Sequence, residues 1–351
     1  MVFEFFLKVT YLVGIYMKKI LICGAGGFIG GHLAKMFDNE KNIQLICVDI
    51  KPIEYWFQIF DNAENHCLDL KDYNNTLKVT KGVDHIFNLA CNMGGMGFIE
   101  NNKAECMLSV LINTNLLRAA IKNKCKKYLF SSSACVYNGS KQNQTFIPGL
   151  KETDAYPAEP EDGYGWEKLF SERMCRHFTE DFGLETRVVR FHNIYGPVGT
   201  FDGGREKAPA ALCRKIINAK NKNLKKIDVW GDGEQTRSFL YIDDCIDGMM
   251  KVFNSNNSEV FNIGSEEQVS INQMIDIIEN IAQYKVDKNY QLDKPLGVRG
   301  RSSDNSYVNE KIGWKPRSSL LEGLTKTHQW INEQINSGTN IDKFCKSNIE
   351  N

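Results

Sequence analysis

The sequence of 351 residues predicts an α/β protein in which a doubly wound parallel sheet is followed by a smaller, mixed α/β C-terminal domain. Short apolar runs rich in β-branched residues alternate with longer amphipathic stretches, which is typical of parallel strands joined by crossover helices. The pattern changes after Gly196, where glycine, proline and charged residues become frequent. With 42% hydrophobic and 25% charged residues, the chain has the composition of a globular protein with a substantial core.

The predicted strands and helices follow one another in regular order from Lys18. Five apolar runs have the length and composition of buried parallel strands, namely KKILICG (18–24), QLICVDI (44–50), NHCLDL (65–70), VDHIFNLA (83–90) and KKYLFSSS (126–133). Amphipathic stretches predict helices at GHLAKMFDNE (31–40), at LINTNLLRAAIKN (111–123) and from about Asp162 to Glu180. The last helix leads into a further strand within ETRVVRFHNIYG (185–196).

Composition and charge exclude several classes of function. Lys plus Arg and Asp plus Glu both number 43, so no overall field attracts the protein to nucleic acid or to an anionic membrane. The 11 cysteines form no CxxC pair and the 6 histidines show no ligand spacing, which argues against a disulfide framework and against a metal site. We therefore expect reduced thiols, a cytoplasmic location and no bound metal.

The two ends of the chain differ from the rest. The first segment, MVFEFFLKVTYLVGIY (residues 1–16), is apolar but is interrupted by Lys8. It lacks the leading positive charge and the cleavage site of a signal peptide, and it is too short to span a bilayer. We interpret it as an upstream-start extension or a frayed arm, with a membrane anchor as the less favoured alternative. Residues 337–351 are polar and are expected to form a loose tail.

A glycine-rich turn, GAGGFIG, follows the first predicted strand and opens a helix. Its glycines Gly24, Gly27 and Gly30 allow a close approach of the backbone to a pyrophosphate, and the helix N-terminus adds free N–H groups, although a purely structural turn could use the same residues. Asp49 ends the second strand about 20 residues later, where a carboxylate accepts hydrogen bonds from an adenosine ribose. These features predict a Rossmann-like site for NAD, because Asp49 would repel the 2′-phosphate of NADP. Asp69 either holds the adenine amino group or caps the next helix.

Tyr164 and Lys168 lie four residues apart on a predicted helix, and so on one face of it. A tyrosine with a pKa of about 10 keeps its proton at neutral pH, so it cannot act as a base. A lysine ammonium and an oxidised nicotinamide would stabilise the phenolate and lower that pKa. The phenolate could then accept the proton of a sugar hydroxyl while hydride passes to the nicotinamide. The spacing of Tyr164 and Lys168 alone is weak evidence for catalysis. In this chain the spacing follows a dinucleotide turn and a strand that ends at Ser133, and the three features together predict a catalytic pair.

These features together resemble the extended short-chain dehydrogenase/reductase superfamily, in particular its nucleotide-sugar epimerases and dehydratases. The resemblance runs from Lys18 to about Ser337, and it implies that Ser133 hydrogen-bonds a substrate hydroxyl. Two residues later, the dehydratases carry a glutamate that removes a proton from sugar C5, and this chain has Cys135. A cysteine there could act as the base only near a cation, because a thiol pKa of about 8.5 leaves little thiolate at neutral pH. A buried packing cysteine is the alternative.

Within this superfamily, the chain most resembles the GDP-mannose 3,5-epimerases. The segments that carry this resemblance are CNMGGMGFIE, SSACVY, DAYPAEPEDGYGWEKL, RFHNIYGPVGT, GGREKAPAALCRK, WGDGEQTRSF and GVRGRSSDN. The resemblance implies that Cys135 and Lys207 form an acid/base pair, although Lys207 alone would be interpreted as a solvated loop lysine. The implied cofactor contacts, besides the residues above, are Phe28, Ile29, Ala90, Tyr164 and Lys168. The implied substrate contacts are Gly94, Ser133, Ala134, Cys135, Asn193, Glu206, Lys207, Ala208, Lys215, Gln235, Thr236, Arg237 and Arg301.

Two of these implied contacts suit a phosphate chemically. The guanidinium groups of Arg237 and Arg301 can each pair with phosphate oxygens through two parallel hydrogen bonds. The chain departs from the family pattern at four positions, none of which removes a catalytic group: Asn138, Tyr156, Gly163 and Trp166. Gly163 and Trp166 flank the catalytic helix and could reshape the substrate pocket.

The resemblance also implies a domain organisation and a reaction. Residues 17–196 would bind NAD, and residues 197–336 would mainly bind substrate, with about 236–264 returning to the first domain. The implied reaction converts GDP-α-D-mannose to GDP-L-galactose, or to GDP-L-gulose after inversion at C5 alone, in a homodimer with tightly bound, recycled NAD. In it, Cys135 removes a proton and Lys207 returns one.

Three alternative functions stay open from the sequence. A nucleotide-sugar 4-epimerase does not explain Lys207 or the MGGMGF loop, and a 4,6-dehydratase lacks its carboxylate at Cys135. A catalytically silent NAD-binding scaffold has no chemical need for the trio of Ser133, Tyr164 and Lys168. The sequence therefore favours the 3,5-epimerase.

Overall fold

The structure, a computed structural model, describes residues 17–338 and 342–345, so residues 1–16 lie outside the described chain. The strands are β1 Lys18–Cys23, β2 Ile43–Asp49, β3 Glu64–Cys67, β4 His85–Asn88, β5 Lys127–Ser133, β6 Glu185–Phe191, β7 Ile194–Tyr195, β8 Lys226–Trp230, β9 Thr236–Ser238, β10 Leu240–Tyr241, β11 Val260–Ile263, β12 Gln268–Ser270, β13 Asp287–Gln291 and β14 Gly300–Arg301. The helices are α1 Phe28–Phe37, α2 Tyr73–Val79, α3 Met96–Asn101, α4 Lys103–Met107, α5 Ser109–Lys122, α6 Tyr164–Phe182, α7 Ala208–Asn221, α8 Ile242–Asn254, α9 Ile271–Ala282, α10 Ser306–Ile312, α11 Leu320–Ser337 and α12 Asp342–Cys345.

The central sheet has seven strands in the order β11-β6-β5-β4-β1-β2-β3, and every pair of neighbours is parallel. The predicted α/β fold with a doubly wound parallel sheet is thus confirmed. The strand order reverses between β1 and β4, and ligands of such sheets bind at the carboxyl ends of the strands beside this point.

Both faces of the central sheet are buried, which explains why its strands are continuously apolar in sequence. In β1, Ile20 and Ile22 belong to the core on one face, whereas Leu21 and Cys23 belong to the core on the other. The neighbouring strands alternate in the same way. Burial on both sides fixes the strand register, because a shift of one residue would exchange the two faces.

The predicted strands and helices are present, with shifts at their ends. α1 begins at Phe28, three residues earlier than predicted, because the glycine turn ends at Gly27, which is the N-cap residue. α6 begins at Tyr164, two residues later than predicted, because Gly163 has a φ of +68° that is not helical.

The C-terminal part of the chain builds smaller sheets around three packed helices. The sheets are β12-β9-β14, β13-β8 and β10-β7, and α7 packs against both α9 and α11. β11 instead joins the central sheet beside β6. The predicted domain boundaries stay a prediction.

Part of the predicted loose tail packs against the body of the protein. Within α12, Phe344 is buried, and its ring lies 5.2 Å from Phe57 and 4.9 Å from Trp330 between centroids. The expectation of a loose tail is therefore wrong for residues 342–345, because one aromatic side chain provides apolar surface to bury.

One helical stretch among the described residues, Lys103–Lys122, passes a length and composition test for a membrane span. It comprises α4 and α5. α5 packs against α2 and α6, and its side chains Leu116, Leu117 and Ala120 belong to the core under the sheet. Core packing accounts for its apolar character.

Candidate active site

A cavity of about 450 Å³ opens at the carboxyl ends of β1, β2, β4 and β5, where the fold leads one to expect a ligand. It brings together many residues that the sequence singled out. Those in its wall are Gly24, Gly27, Phe28, Ile29, Gly30, Asp49, Asp69, Ala90, Gly94, Ser133, Tyr164, Glu206 and Lys207.

The glycine turn between β1 and α1 has no room for a side chain at Gly24 or at Gly30. Gly24 has a φ of +82°, and a Cβ on Gly30 would lie 2.1 Å from the carbonyl oxygen of Gly24. The turn leaves the first N–H groups of the ten-residue helix α1 beside the cavity. This arrangement fits the pyrophosphate of a dinucleotide, which needs close backbone contact and N–H donors.

The adenosine end of the cavity is bounded by two carboxylates. Asp49, at the end of β2, is 9% exposed and accepts a hydrogen bond from the backbone N–H of Lys51 at 3.0 Å. Burial raises the pKa of Asp49, and the Lys51 ammonium opposes that rise. Asp69 does not cap α2, since Asp72 is the N-cap residue and accepts a hydrogen bond from Asn74 N–H. Of the two alternatives for Asp69, the cap is thus wrong.

Tyr164 and Lys168 stand in the first turns of α6, as predicted. The Lys168 ammonium lies 5.5 Å from the Tyr164 ring centroid and 3.6 Å from Glu167 Oε2. It is buried and has no hydrogen-bond partner within residues 17–338 and 342–345. A buried ammonium that makes no hydrogen bond fits a ligand with hydroxyl acceptors, such as the nicotinamide ribose of NAD.

The surroundings of Tyr164 hold its proton in place. Burial, followed by the neighbouring thiols of Cys91 and Cys135, raises the pKa of Tyr164 well above its usual value, while the Ser133 hydroxyl opposes the shift. Activation of the phenol therefore needs positive charge close to its oxygen, as the sequence interpretation assumed.

Cys135 has the cation that the sequence interpretation required. It lies in a 3₁₀ turn directly after β5, is 8% exposed, and its Sγ is 3.6 Å from Arg301 Nη1. However, Glu161 Oε1 lies 2.5 Å from Arg301 Nη2. Burial, followed by the Glu161 charge, raises the pKa of Cys135 to about 12 despite Arg301. The resting side chain is thus a thiol, whereas the sequence interpretation assigned it the role of base.

Glu161 and Gln142 are site residues that sequence reasoning missed. The backbone N–H of Glu161 donates to the Cys135 carbonyl at 2.9 Å, which fixes the two residues together. The Oε1 atom of Gln142 accepts a hydrogen bond of 2.6 Å from Arg301 Nε. Glu161 lies within the DAYPAEPEDGYGWEKL segment, but its partner Arg301 is 140 residues away along the chain.

Arg237 and Arg301 face each other across adjacent strands, in register on β9 and β14. Burial, followed by the charge of Arg301, lowers the pKa of Arg237 to about 10. Two cations and the single carboxylate of Glu161 leave an excess of positive charge, which suits an anionic ligand. The Arg301 guanidinium, only 3% exposed, is engaged by Gln142, Cys135 and Glu161 rather than open to the cavity.

Lys207 is the N-cap residue of α7 and reaches the cavity wall, so it is not a solvated loop lysine. Burial lowers its pKa, and the groups that act on it next are thiols, with Cys135 first. The preceding residue, Glu206, is held by Arg214 at 3.2 Å. The following residue, Ala208, begins α7.

The loop that carries Gly94 is tied to the loop before α7 by Arg205, which the sequence interpretation also missed. Arg205 Nη1 donates to Asn92 Oδ1 at 2.9 Å and to the Met93 carbonyl at 3.1 Å. The Gly95 N–H donates in return to the Arg205 carbonyl at 3.0 Å. These contacts place the Gly94 and Lys207 segments on the same side of the cavity.

The remaining predicted substrate residues surround β8 and β9 and do not line the cavity. Asn193 donates to the Ser238 carbonyl at 3.0 Å, and Lys215 donates to the Asp228 carbonyl at 2.7 Å. Gln235 Nε2 donates to the Trp230 carbonyl at 3.0 Å, while its buried Oε1 has no hydrogen-bond partner within the described residues. Thr236 bonds the Thr145 carbonyl, and Ala134 is buried beside Cys135.

The departures beside α6 have different structural roles. A Cβ on Gly163 would lie 3.0 Å from backbone atoms of Lys103, so glycine is required there. Trp166 is 44% exposed on the outside of α6 and does not line the cavity. Asn138 is buried and accepts a hydrogen bond from Ser140 N–H, whereas Tyr156 is exposed.

A dinucleotide cradle beside a buried tyrosine–lysine pair defines an NAD-dependent α/β enzyme that acts on hydroxyl-bearing substrates. The chain belongs to the NAD-dependent epimerase/dehydratase family, whose model matches residues 20–264. This confirms the resemblance seen in the sequence and the assignment of NAD as cofactor.

Comparison with individual proteins shows which members of this family the chain resembles. The chain is 48% identical over 318 residues to GDP-mannose 3,5-epimerase 1 of Oryza sativa subsp. japonica, covering 90% of this chain and 82% of the relative. It is 45% identical over 336 residues to GDP-mannose 3,5-epimerase of Arabidopsis thaliana, covering 94% and 88%. Among solved structures, UDP-glucose 4-epimerase of Thermotoga maritima superposes with a TM-score of 0.81 at 25% identity, covering 90% of this chain and 99% of that one. The predicted similarity to GDP-mannose 3,5-epimerases is confirmed.

Proposed function

We propose that the protein converts GDP-α-D-mannose to GDP-L-galactose, and that GDP-L-gulose forms when inversion stops after C5. The observation that carries the proposal is that Lys207, in the cavity wall with Tyr164, interacts electrostatically with Cys135 before any other titratable group. Two proton-transfer groups at one ketone sugar are what inversion of a carbon centre requires. The identity of 45% and 48% to GDP-mannose 3,5-epimerases supports the same substrate and reaction.

The redox half of the reaction uses α6 and the end of β5. The glycine turn and Asp49 would hold NAD, which would supply the hydride acceptor for C4. Tyr164 accepts the proton of the C4 hydroxyl, and Ser133 orients that hydroxyl by a hydrogen bond. The buried Lys168 ammonium stabilises the phenolate, which offsets part of the effect of burial on Tyr164.

The inversion half uses the ketone at C4. A ketone acidifies the protons on C3 and C5, because each carbanion is stabilised as an enolate. Cys135 approaches from the end of β5 and Lys207 from the start of α7, so one can remove a proton while the other returns one. The excess positive charge of Arg237 and Arg301 attracts the diphosphate, without a direct hydrogen bond from the Arg301 guanidinium, which is engaged by Gln142 and Glu161. Tyr164 would finally return its proton to the oxygen on C4, and the reaction would have no net oxidation, because bound NAD would give back the hydride that it had accepted.

Proton NMR of the purified protein with GDP-mannose in deuterated water tests the proposal. Deuterium at both C3 and C5, with L-galactose signals and no added NAD, is the expected result. Deuterium at C5 alone, with a deoxy-keto product, would indicate a 4,6-dehydratase, and inversion at C4 without exchange would indicate a 4-epimerase. No exchange with NAD bound would indicate a scaffold or another substrate.

Matched cysteine variants sharpen this test. Cys135→Ala should abolish product formation while NAD stays bound. Cys125→Ala is the control, because Cys125 and Cys135 are both 8% exposed but Cys125 contacts the Thr80 carbonyl away from the cavity. Retained product formation in the Cys135→Ala variant would contradict the proposed acid/base pair.

We also propose a cytoplasmic homodimer. Trp166 and Phe170 lie one turn apart on α6 and are exposed, and Met107 and Leu111 are exposed on the neighbouring α4 and α5. Exposed apolar side chains on adjacent helices favour burial against a second copy. Light scattering of the wild type and of Phe170→Asp checks this, since only the variant should be monomeric.

A further inference from the structure

The position of Lys207 depends on the backbone that carries it. Its side chain makes no hydrogen bond and no ion pair within residues 17–338 and 342–345. The residues before it, 196–207, form neither helix nor strand between β7 and α7. A side chain without a partner of its own is placed by its backbone, so the contacts that hold this segment decide how far Lys207 reaches into the cavity.

Three hydrogen bonds join the segment before α7 to the loop that follows β4. Arg205 Nη1 donates to Asn92 Oδ1 at 2.9 Å and to the Met93 carbonyl at 3.1 Å. In the opposite direction, the Gly95 N–H donates to the Arg205 carbonyl at 3.0 Å. The Arg205 guanidinium also lies 3.9 Å from the ring centroid of Phe98, which adds a cation–π contact. Contacts from both the side chain and the backbone of Arg205 therefore fix the segment.

Two glycines allow the backbones of the loop and the segment to touch. A Cβ on Gly94 would lie 3.3 Å from the Arg205 Cα, and a Cβ on Gly95 would lie 2.5 Å from the Glu206 carbonyl oxygen. Gly95 has a φ of −68°, which any residue adopts, so only the close approach to Glu206 excludes a side chain there. This contact gives a structural reason for the glycine pair in the MGGMGF loop.

The loop that receives Arg205 is anchored to the body of the protein. It follows Asn88, the last residue of β4 in the central sheet. Its Asn92 N–H donates to the Ser109 hydroxyl at 2.9 Å, and Ser109 is a buried residue that begins α5. Arg205 thus connects a segment without regular structure to a fixed part of the fold.

We propose that Arg205 is a positioning residue that holds the segment 205–207 against the loop 92–95 and so sets the reach of Lys207 into the cavity. This inference rests on the proposed function, in which Lys207 is one of the two proton-transfer groups. It assigns the MGGMGF loop the task of supporting Lys207 from behind, in addition to the substrate contact implied for Gly94.

The first experiment measures turnover of GDP-mannose in two variants that break the contact in different ways. Arg205→Met removes the donor, whereas Gly95→Ala pushes the segment away through the Glu206 carbonyl. In each, kcat should fall by about 10²-fold, because a displacement of about 1 Å at a reacting group has an effect of that size. NAD content should not change, since the glycine turn is untouched. Wild-type kcat in either folded variant overturns the proposal.

Arg187→Met is the matched control for the loss of a partly buried arginine. Arg187 donates to the Ser255 and Thr186 carbonyls near the start of β6, whereas the cavity lies at the carboxyl ends of the strands. This variant should keep its kcat. A merely structural role of Arg205 would lower the free energy of unfolding, as expected for Arg187→Met, and would leave kcat of the folded variant unchanged.

A double-mutant cycle tests whether Arg205 acts through the loop or on the substrate directly. Asn92→Leu removes one acceptor of Arg205 and should lower kcat on its own. Added to Arg205→Met, it should lower kcat no further, because the contact is already lost. Effects of the two substitutions that multiply would mean that Arg205 acts independently of the loop, and they would overturn the positioning role.

Amide hydrogen exchange of NAD-bound protein without GDP-mannose separates this inference from the proposed function. Exchange should be faster in Arg205→Met than in the wild type in peptides covering 92–98 and 205–212, and equal in peptides from β8. If the wild type does not convert GDP-mannose, the proposed function fails, while the exchange still tests the contact. If the wild type is active and exchange in both segments is unchanged by Arg205→Met, only the inference fails.

Discussion

The two halves of the cavity are built in different ways. The cofactor half depends on the backbone, because Gly24 and Gly30 leave no room for a side chain at either position. The sugar half is a structure of buried charges, in which Cys135, Glu161 and Arg301 meet from three distant segments. The cofactor half therefore depends on the absence of side chains at its glycines, whereas the sugar half depends on which charged side chains the fold brings into contact.

The largest effect on NAD binding and stability is expected from adding a side chain to the glycine turn of the cofactor half. In Gly30→Ala, the new Cβ would lie 2.1 Å from the Gly24 carbonyl oxygen, which is backbone and cannot rotate away. We expect loss of copurifying NAD and a decrease of about 1–3 kcal/mol in the free energy of unfolding. Cofactor content after denaturation and urea unfolding measure these two changes.

A glycine with open space provides the control for this prediction. A Cβ on Gly139 would meet nothing closer than the Glu159 carbonyl at 3.6 Å, which is ordinary contact. Gly139→Ala should therefore keep its NAD. Full NAD content in the Gly30→Ala variant would contradict the view that the turn works by close backbone approach.

The next largest effect is expected where the halves join, at Tyr164. Tyr164→Phe removes the group that accepts the C4 hydroxyl proton but leaves the ring, so kcat should fall by about 10²- to 10⁴-fold while NAD content is unchanged. Tyr284→Phe is the control, since its hydroxyl bonds the Leu224 carbonyl away from the cavity. Turnover of GDP-mannose and bound NAD are measured on both variants, and equal turnover would remove Tyr164 from the redox step.

The cofactor half of the cavity could be predicted from the sequence, whereas much of the sugar half could not. The glycine turn, Asp49 at the end of β2 and the Tyr164–Lys168 spacing are local patterns, and each is placed by one strand or helix as predicted. Glu161 and Gln142 have no local signature, because their function comes from contact with Arg301, 140 and 159 residues away along the chain. Family resemblance indicated Lys207, but not the burial that lowers its pKa.

A smaller effect is expected on pH dependence, because pH should change kcat through the sugar half but should not change NAD binding by the cofactor half. Burial lowers the pKa of Lys207, and the acid/base pair is active with one transferable proton between Cys135 and Lys207, so kcat should rise by up to about tenfold per pH unit until the pH passes that lowered pKa. The pKa of Cys135, about 12, keeps the alkaline fall out of reach in the wild type, whereas Glu161→Gln should show it at lower pH. NAD retention should not change over this range. A flat kcat profile in the wild type would contradict an acid/base role for the pair of Cys135 and Lys207.

The smallest effect on turnover is expected at Gly163, which lies outside both halves but begins the helix that carries Tyr164. Its φ of +68° and the 3.0 Å approach of a Cβ to the Lys103 backbone predict that Gly163→Ala lowers the free energy of unfolding by about 1–3 kcal/mol. Turnover should change little once the variant is folded, because Tyr164 keeps its place in the first turn of α6. Urea unfolding and kcat measure the two quantities.

Trp166 provides the comparison for Gly163, since both depart from the family pattern within the same turn. Its side chain is 44% exposed in a single copy and lies outside the cavity, so in the monomeric Phe170→Asp background Trp166→Leu should change the free energy of unfolding by no more than about 0.5 kcal/mol. A large loss of turnover in Trp166→Leu with unchanged stability would mean that the outer face of α6 reaches the site through a second copy of the chain. Equal, small changes in both variants would instead show that α4 moves aside for a side chain at Gly163.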